Sequence, residues 1–246
     1  MFFRKKKEFP WVSAVVAAAG SSSRMEGIDK QQALLDGLPV VVRSIQALSQ
    51  CSLVREVVVV CPPDRIPEYY AMTRDFALDM VSQVVGGGSS RQQSVFRGIE
   101  ACDGQAAYFL IHDGARPLVH PALVEECIRA AAEFGAAAAG VTPKDTIKLL
   151  DRDGFAASTP PRAGMTAIQT PQVFEATLYR QAMGVARREN RDYTDDCQLV
   201  EGMGRRVKVV PGDYANLKIT MPEDLVIAET ILGFQEEGLP QWEAFE

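Results

Sequence analysis

The sequence predicts an α/β fold, and three observations predict it. Short apolar runs rich in Val and Ala alternate with stretches of helical spacing along the first 141 residues. The chain has 246 residues, 47% of them hydrophobic, enough to bury a substantial core without disulfide or metal staples. Several of the apolar runs end in loops rich in Gly, Ser, Asp or Arg, which is the pattern of a parallel sheet with ligands at the carboxyl ends of its strands.

Taken in order, strands are expected over 12–17, 56–61, 80–85, 107–112 and 136–141. Helices are expected over 40–50, 67–78, 92–102 and 121–134. In the first, Val41, Ile45 and Leu48 fall on one face. In the last, Pro121 stands where a first-turn proline belongs and Gly135 just past the end. Repeated strand–helix–strand units imply a mostly parallel sheet with helices on both faces.

The rhythm breaks after Val141. Residues 144–150 alternate, Asp151-Arg152-Asp153-Gly154 signals a hairpin turn, and Thr159-Pro160-Pro161 opposes a helix. Residues from about 142 to 165 therefore read as a protruding β-arm. Helices follow over 175–190 and 195–202, a strand over 206–210, and a last helix over 222–232 with Glu223 and Asp224 in its first turn. The expected whole is a single Rossmann-like three-layer domain over 10–234 carrying the arm, with terminal extensions at 1–9 and 235–246.

Composition excludes several classes of function. Lys plus Arg number 26 against 32 Asp plus Glu, a net charge of −6, so a broad basic surface for nucleic acid is absent. Cys51, Cys61, Cys102, Cys127 and Cys197 show neither CxxC nor zinc-finger spacing, which reads as reduced thiols in a cytoplasmic protein. Only His112 and His120 are present, against a polyhistidine metal site; His112, closing an apolar strand, reads as a structural histidine. No apolar run is long enough to cross a membrane as a helix. The cationic run Arg4–Lys7 before an apolar stretch mimics a signal peptide, but Glu8 and Pro10 interrupt it and the stretch reads as the first strand.

Three loops carry the chemistry. The first, Ala18-Ala19-Gly20-Ser21-Ser22-Ser23-Arg24 with Lys30 beyond it, is small enough for close approach of a polyphosphate to backbone N–H groups and adds two cations. It fits neither the Walker pattern nor G-x-G-x-x-G. The second, Gly86-Gly87-Gly88-Ser89-Ser90-Arg91 with Ser94 after it, opens a helix. The third is His112-Asp113-Gly114-Ala115-Arg116-Pro117. Each alone also fits an ordinary connector, and Thr146, Lys148, Arg162, Gln169-Thr170-Pro171-Gln172 and Asn216-Leu217-Lys218 are individually uninformative.

Together, AAGSSSRM followed by KQ, GGGSSRQQSV, HDGARP, DTIK, QTPQ, TDD and LKIT with PEDL resemble, in order and spacing over about 12–232, the 2-C-methyl-D-erythritol 4-phosphate cytidylyltransferases. These are nucleotidyltransferases of nucleotide-diphospho-sugar-transferase-like fold. The resemblance implies attack of a methylerythritol phosphate oxygen on the α-phosphorus of CTP, with pyrophosphate expelled, in non-mevalonate isoprenoid synthesis. A phosphate monoester has a second pKa near 6, so such a nucleophile is already anionic at pH 7 and needs no general base.

By motif position the resemblance makes Arg24 and Lys30 the transition-state stabilisers, with Arg162 and Lys218 placing the acceptor phosphate for attack. Ala18, Ala19 and Gly20 would cradle phosphates or base. Gly88 and Ser94 would line the cytosine pocket, Arg91 would support that loop, and Asp113 would lie among ribose, metal and acceptor. Arg116, Thr146, Arg162, Thr170 and Lys218 would hold the acceptor. Mg²⁺ would enter with CTP, held mainly by its phosphates with Asp113 nearby. In relatives the arm crosses to a second subunit, which implies a homodimer with Thr146 and Arg162 acting in the partner's site. Ser22 replaces a glycine usual in this motif, a cost of about 1–2 kcal/mol if the position needs φ > 0. Two alternatives remain open in sequence: a ribitol 5-phosphate acceptor, and a catalytically silent nucleotide-binding module.

Overall fold

The alternating apolar runs become one twisted sheet between two helical layers. The computed structural model describes residues 9–20 and 29–236. Strand β1 (Val12–Ala17) is followed by a small hairpin, β2 (Leu34–Leu35) and β3 (Leu38–Pro39), then α1 (Val40–Ser49), β4 (Val54–Cys61), α2 (Ile66–Asp75), β5 (Val81–Gly86) and α3 (Arg91–Ala101). Next come β6 (Tyr108–Asp113), α4 (Pro121–Phe134), β7 (Ala136–Val141), and the arm strands β8 (Leu149–Leu150) and β9 (Ala156–Ser158). The chain finishes with β10 (Ala167–Glu175), α5 (Ala176–Glu189), α6 (Asp196–Glu201), β11 (Lys208–Pro211) and α7 (Pro222–Glu236).

The main sheet has seven strands in the order β11-β7-β10-β6-β1-β4-β5. All pair in parallel except β10, which is antiparallel to both β6 and β7. Because side chains alternate across a strand, consecutive valines serve opposite faces. Val57 and Val59 pack with Val41, Ile45 and Leu48 of α1 and Val124 and Ile128 of α4. Val58 and Val60 pack with Val95 and Ile99 of α3 and Tyr179 and Ala182 of α5. The sheet is thus buried on both faces, which is why its central strands read as unbroken apolar runs. A third cluster, with Leu35, Val40, Leu118, Ile219, Ala228 and Ile231, seats α7 beside the β2–β3 hairpin.

Local chemistry sets the element ends. Ser90 caps α3, its hydroxyl accepting from the Gln93 N–H at 3.2 Å. Gly135 closes α4 with φ +85°, a conformation costly for any residue with a Cβ. In the arm, Asp151 Oδ1 accepts from the Asp153 and Phe155 N–H groups at 3.0 and 2.9 Å, and Gly154 turns with φ +86°. Residues 151–159 of the arm are exposed throughout.

Three strands depart from the sequence reading, which assigns no element over 34–39, where β2 and β3 form, and none between the arm and the helix starting at 175. Strand β10 fills the second gap and sits near the middle of the sheet. Pro171 argues against a central strand because it cannot donate to a ladder. The structure accommodates it by breaking register between Ile168 and Gln172, where residues 169–171 leave the pairing with β7. The Thr170–Pro171 peptide is cis. No helix among the described residues is long and apolar enough to cross a membrane.

Candidate active site

Asp113 is the last residue of β6 and lies where the loops after β1, β5 and β6 gather at the carboxyl edge of the sheet. Three cations surround it, Arg116 from its own loop and Arg91 and Lys218 from elsewhere in the chain. Lys218 Nζ is 2.8 Å from its Oδ2, Arg116 Nε is 3.7 Å from Oδ2, and Arg91 Nη2 is 3.8 Å from Oδ1. The first is a charge-assisted hydrogen bond; the other two are longer and act through charge. Burial alone would raise the pKa of this carboxyl, but Lys218, Arg91 and Arg116 outweigh it and lower the value to about 2. Asp113 is therefore ionised at neutral pH.

The irregular part of β10 organises this cluster. The Thr170 hydroxyl accepts the Asp113 N–H at 3.0 Å and lies 3.1 Å from His112 Nδ1. His112 Nε2 lies 3.1 Å from the Arg116 carbonyl oxygen. A carbonyl only accepts, so the proton sits on Nε2 and Nδ1 accepts from Thr170. Burial lowers the His112 pKa to about 4, so the ring is neutral and both nitrogens are used. Gln169 Nε2 donates to the Asp213 carbonyl at 2.8 Å, and Asn216 Nδ2 donates to the Thr170 carbonyl at 2.9 Å. Those bonds fix the segment that delivers Lys218. Arg116 Nη1 donates to the Asn216 carbonyl at 2.6 Å, tying the same segment to the β6 loop.

The glycine loop after β5 is close-packed rather than loose. A Cβ at Gly87 would fall 2.8 Å from Ser94 Oγ and closer still to the Ala19 methyl. A Cβ at Gly88 would fall 2.5 Å from Gln93 Cβ. Ser94 Oγ accepts from the Gly88 N–H at 3.0 Å and donates to the Ser90 carbonyl at 2.8 Å, so the hydroxyl shapes the loop. Arg97 Nη1 holds the Gly87 carbonyl at 2.7 Å. The loops after β1 and β5 touch through Ala19, and Ala18 N–H extends the sheet by bonding the Val60 carbonyl at 2.8 Å. A Cβ at Gly20 would lie 4.0 Å from Lys30 Nζ, so Lys30 folds back over the end of the β1 loop. Arg24 and Ser22 lie outside the described residues.

Asp113, Arg116, Thr170, Lys218 and Arg91 are thus brought together. Arg91 lies between two carboxylates, its Nη1 bonding Asp196 at 2.6 Å while Nη2 faces Asp113. Thr146 and Arg162 are exposed on the arm, and Arg162 donates to the Lys144 carbonyl at 2.7 Å rather than to the cluster. His112, Gln169, Gln172, Tyr179, Asp196 and Asn216 complete the framework without having been singled out as site residues. The QTPQ and TDD motifs contained three of them, but their side-chain directions depend on the bulge in β10 and are invisible in one dimension. No group of three or more His, Cys, Asp or Glu able to hold a metal occurs among the described residues.

The family model for 2-C-methyl-D-erythritol 4-phosphate cytidylyltransferase matches residues 12–234. The chain belongs to this family. A cytidylyltransferase of that name from Caldanaerobacter subterraneus subsp. tengcongensis is 46% identical over 224 residues, covering 90% of this chain and 98% of the relative. One from Pelotomaculum thermopropionicum is 42% identical over 233 residues, covering 94% and 98%. Among solved structures, the 4-diphosphocytidyl-2C-methyl-D-erythritol synthase from Anaerococcus prevotii superposes with a TM-score of 0.80 at 30% identity, covering 91% of this chain and 96% of that one. The cytidylyltransferase from Thermus thermophilus gives 0.74 at 32% identity, covering 89% and 98%. Both solved structures share the overall fold of this chain.

Proposed function

We propose that this protein transfers a cytidylyl group from CTP to 2-C-methyl-D-erythritol 4-phosphate and releases pyrophosphate. The observation that carries the reading is the family match over residues 12–234, nearly the whole of the described fold. In the reaction an acceptor phosphate oxygen forms a bond to the α-phosphorus of CTP, and the bond from that phosphorus to the bridging oxygen of pyrophosphate breaks. The acceptor is already mostly dianionic at pH 7, so the barrier to overcome is the meeting of two anions.

We assign the side-chain roles from charge and motif position, with the Asp113 cluster in support. Lys218 and Arg116, beside Asp113, meet the acceptor phosphate, while Asp113 orients both cations and accepts from hydroxyl groups of ribose or acceptor. Lys30 and Arg24 neutralise charge gathering on the departing pyrophosphate. Gly88 and Ser94 face the base, with Ala18, Ala19 and Gly20 along the phosphates. A single ionised carboxylate cannot hold Mg²⁺ unaided, but it fits an ion whose other ligands are phosphate oxygens and water. Asp113 Oδ1, the oxygen away from Lys218, would be its protein ligand. When bound, the ion screens triphosphate charge and polarises the α-phosphoryl group.

We further read the arm as the contact to a second copy. Leu149, Leu150 and Phe155 expose 53%, 63% and 72% of their surface on it, a cost a partner would remove. Thr146 and Arg162 would then serve the partner's cleft. Pyrophosphate release measured with CTP, UTP and ATP, against methylerythritol phosphate and ribitol 5-phosphate, tests the activity. A preference for ribitol 5-phosphate, or no release with any pair, would overturn it. Sedimentation of the intact chain tests the dimer.

A further inference from the structure

The TDD motif, Thr194-Asp195-Asp196, has no place yet in the chemistry. Its three residues divide the work of starting α6. Asp195 is the cap, its carboxylate accepting the Gln198 N–H at 2.9 Å, and Thr194 Oγ1 bonds Gln198 Oε1 at 3.0 Å. Asp196 turns inward instead and is 2% exposed. A carboxylate so buried needs strong donors. It has two, one on each oxygen: Tyr179 OH donates to Oδ1 at 2.6 Å and Arg91 Nη1 to Oδ2 at 2.6 Å. Its own N–H donates to Gln172 Oε1 at 3.2 Å, which ties it to β10.

The Tyr179 end of this chain of bonds is packed into the core. The ring is fully buried on α5 and packed against Phe96, Phe109 and Phe174, with centroids 6.4, 6.2 and 5.2 Å away. The Arg91 end opens on the site. Arg91 is the first residue of α3, directly after the glycine loop, and its second terminal nitrogen is 3.8 Å from Asp113 Oδ1. A free arginine side chain has about 2 kcal/mol of rotamer entropy to lose on binding. Here Asp196 removes that freedom in advance. It also takes the short bond of the guanidinium, so Arg91 stays near Asp113 Oδ1 without closing on it.

We propose that Asp196, braced by Tyr179, is a positioning residue that presets Arg91 and keeps an Asp113 oxygen open, and thereby sets the affinity for the nucleoside triphosphate. The proposal rests on the CTP-dependent reading above. Asp196 acts only through Arg91, which distinguishes it from a residue that merely holds the fold.

CTP binding by titration calorimetry on the intact chain, alongside steady-state kinetics and the thermal midpoint, reads this out. Asp196→Asn keeps the shape and loses the charge; the CTP Kd and KM should rise tenfold or more, with the acceptor KM within twofold of wild type. Tyr179→Phe should move the CTP constants the same way by a smaller factor. In an Arg91→Ala background, Asp196→Asn should add nothing. CTP constants within twofold of wild type in a folded Asp196→Asn protein overturn the proposal, as do losses that multiply in the double variant. If Asp196→Asn does not fold, Tyr179→Phe alone and combined with Arg91→Ala gives the same comparison. Absence of pyrophosphate release by the wild-type protein would instead overturn the assigned reaction, while the ratio of CTP Kd values would still read the positioning.

Discussion

The backbone N–H of Asp113 donates to the Thr170 hydroxyl at 3.0 Å, so the strand that ends in the site's carboxylate is locked to its antiparallel neighbour where that neighbour leaves the ladder. The same hydroxyl meets His112 Nδ1 at 3.1 Å. One side chain thus serves two buried polar groups.

Replacing Thr170 by Val should leave a buried N–H and a buried ring nitrogen without partners, at a cost of about 1–3 kcal/mol. Urea unfolding measures it, and kcat/KM should fall with it. Thr170→Ser, which keeps the hydroxyl, should restore most of both. An unchanged midpoint in Thr170→Val would contradict the role given to this bond.

His112 should make stability depend on pH in a defined window. Its folded pKa, about 4, lies below the ordinary 6.5, so the unfolded chain binds the extra proton first. The contribution is complete above about pH 6.5 and is lost as pH falls toward about 4, at a limiting slope of about 1.4 kcal/mol per pH unit. Unfolding free energies between about pH 5 and pH 7 should show a flatter profile in His112→Gln than in wild type.

Asp113 should act at lower pH. Its folded pKa of about 2 lies below the ordinary 3.8, so its stabilisation is present above about pH 4 and is lost as pH falls through about 2. The loss should be on the order of 2 kcal/mol. In Asp113→Asn that acid-limb loss should disappear, and turnover should fall by a factor of about a hundred or more because Lys218 and Arg116 lose the group that orients them.

Gly87→Ala should displace the glycine loop after β5. The added methyl meets Ser94 Oγ at 2.8 Å and the Ala19 methyl more closely, so one of the two loops must move. Overpacking of this kind costs about 1–3 kcal/mol. We expect a weaker CTP affinity with a smaller change in acceptor KM, measured in the same kinetic assay.

Lys30→Ala and Arg24→Ala should each lower kcat by a factor of about a hundred or more while the fold stays intact, as expected when a cation is removed from developing charge. Near-normal turnover in both would remove them from the chemistry.

Much of the fold was legible in one dimension because it follows from local period and punctuation. Strand β1 occupies 12–17, α4 121–134 and β7 136–141, as the apolar runs, Pro121 and Gly135 require. The arm was legible from its hairpin turn and its prolines. Strand β10 was not, because Pro171 reads as a strand breaker and only a neighbouring pair of strands can tolerate the bulge that holds it.

The division in the site has the same cause. Residue types and loop spacing by themselves raised the expectation of an anionic ligand, since small-residue loops and cations are read without any long-range contact. Only the tertiary structure decided which charges meet. Arg91, Arg116 and Lys218 converge on Asp113 across up to 127 residues because β6 and β10 lie side by side and Asn216 is pinned to the bulge. Direction of a side chain depends on sheet register and on the neighbour that satisfies its hydrogen bonds, and neither is encoded locally.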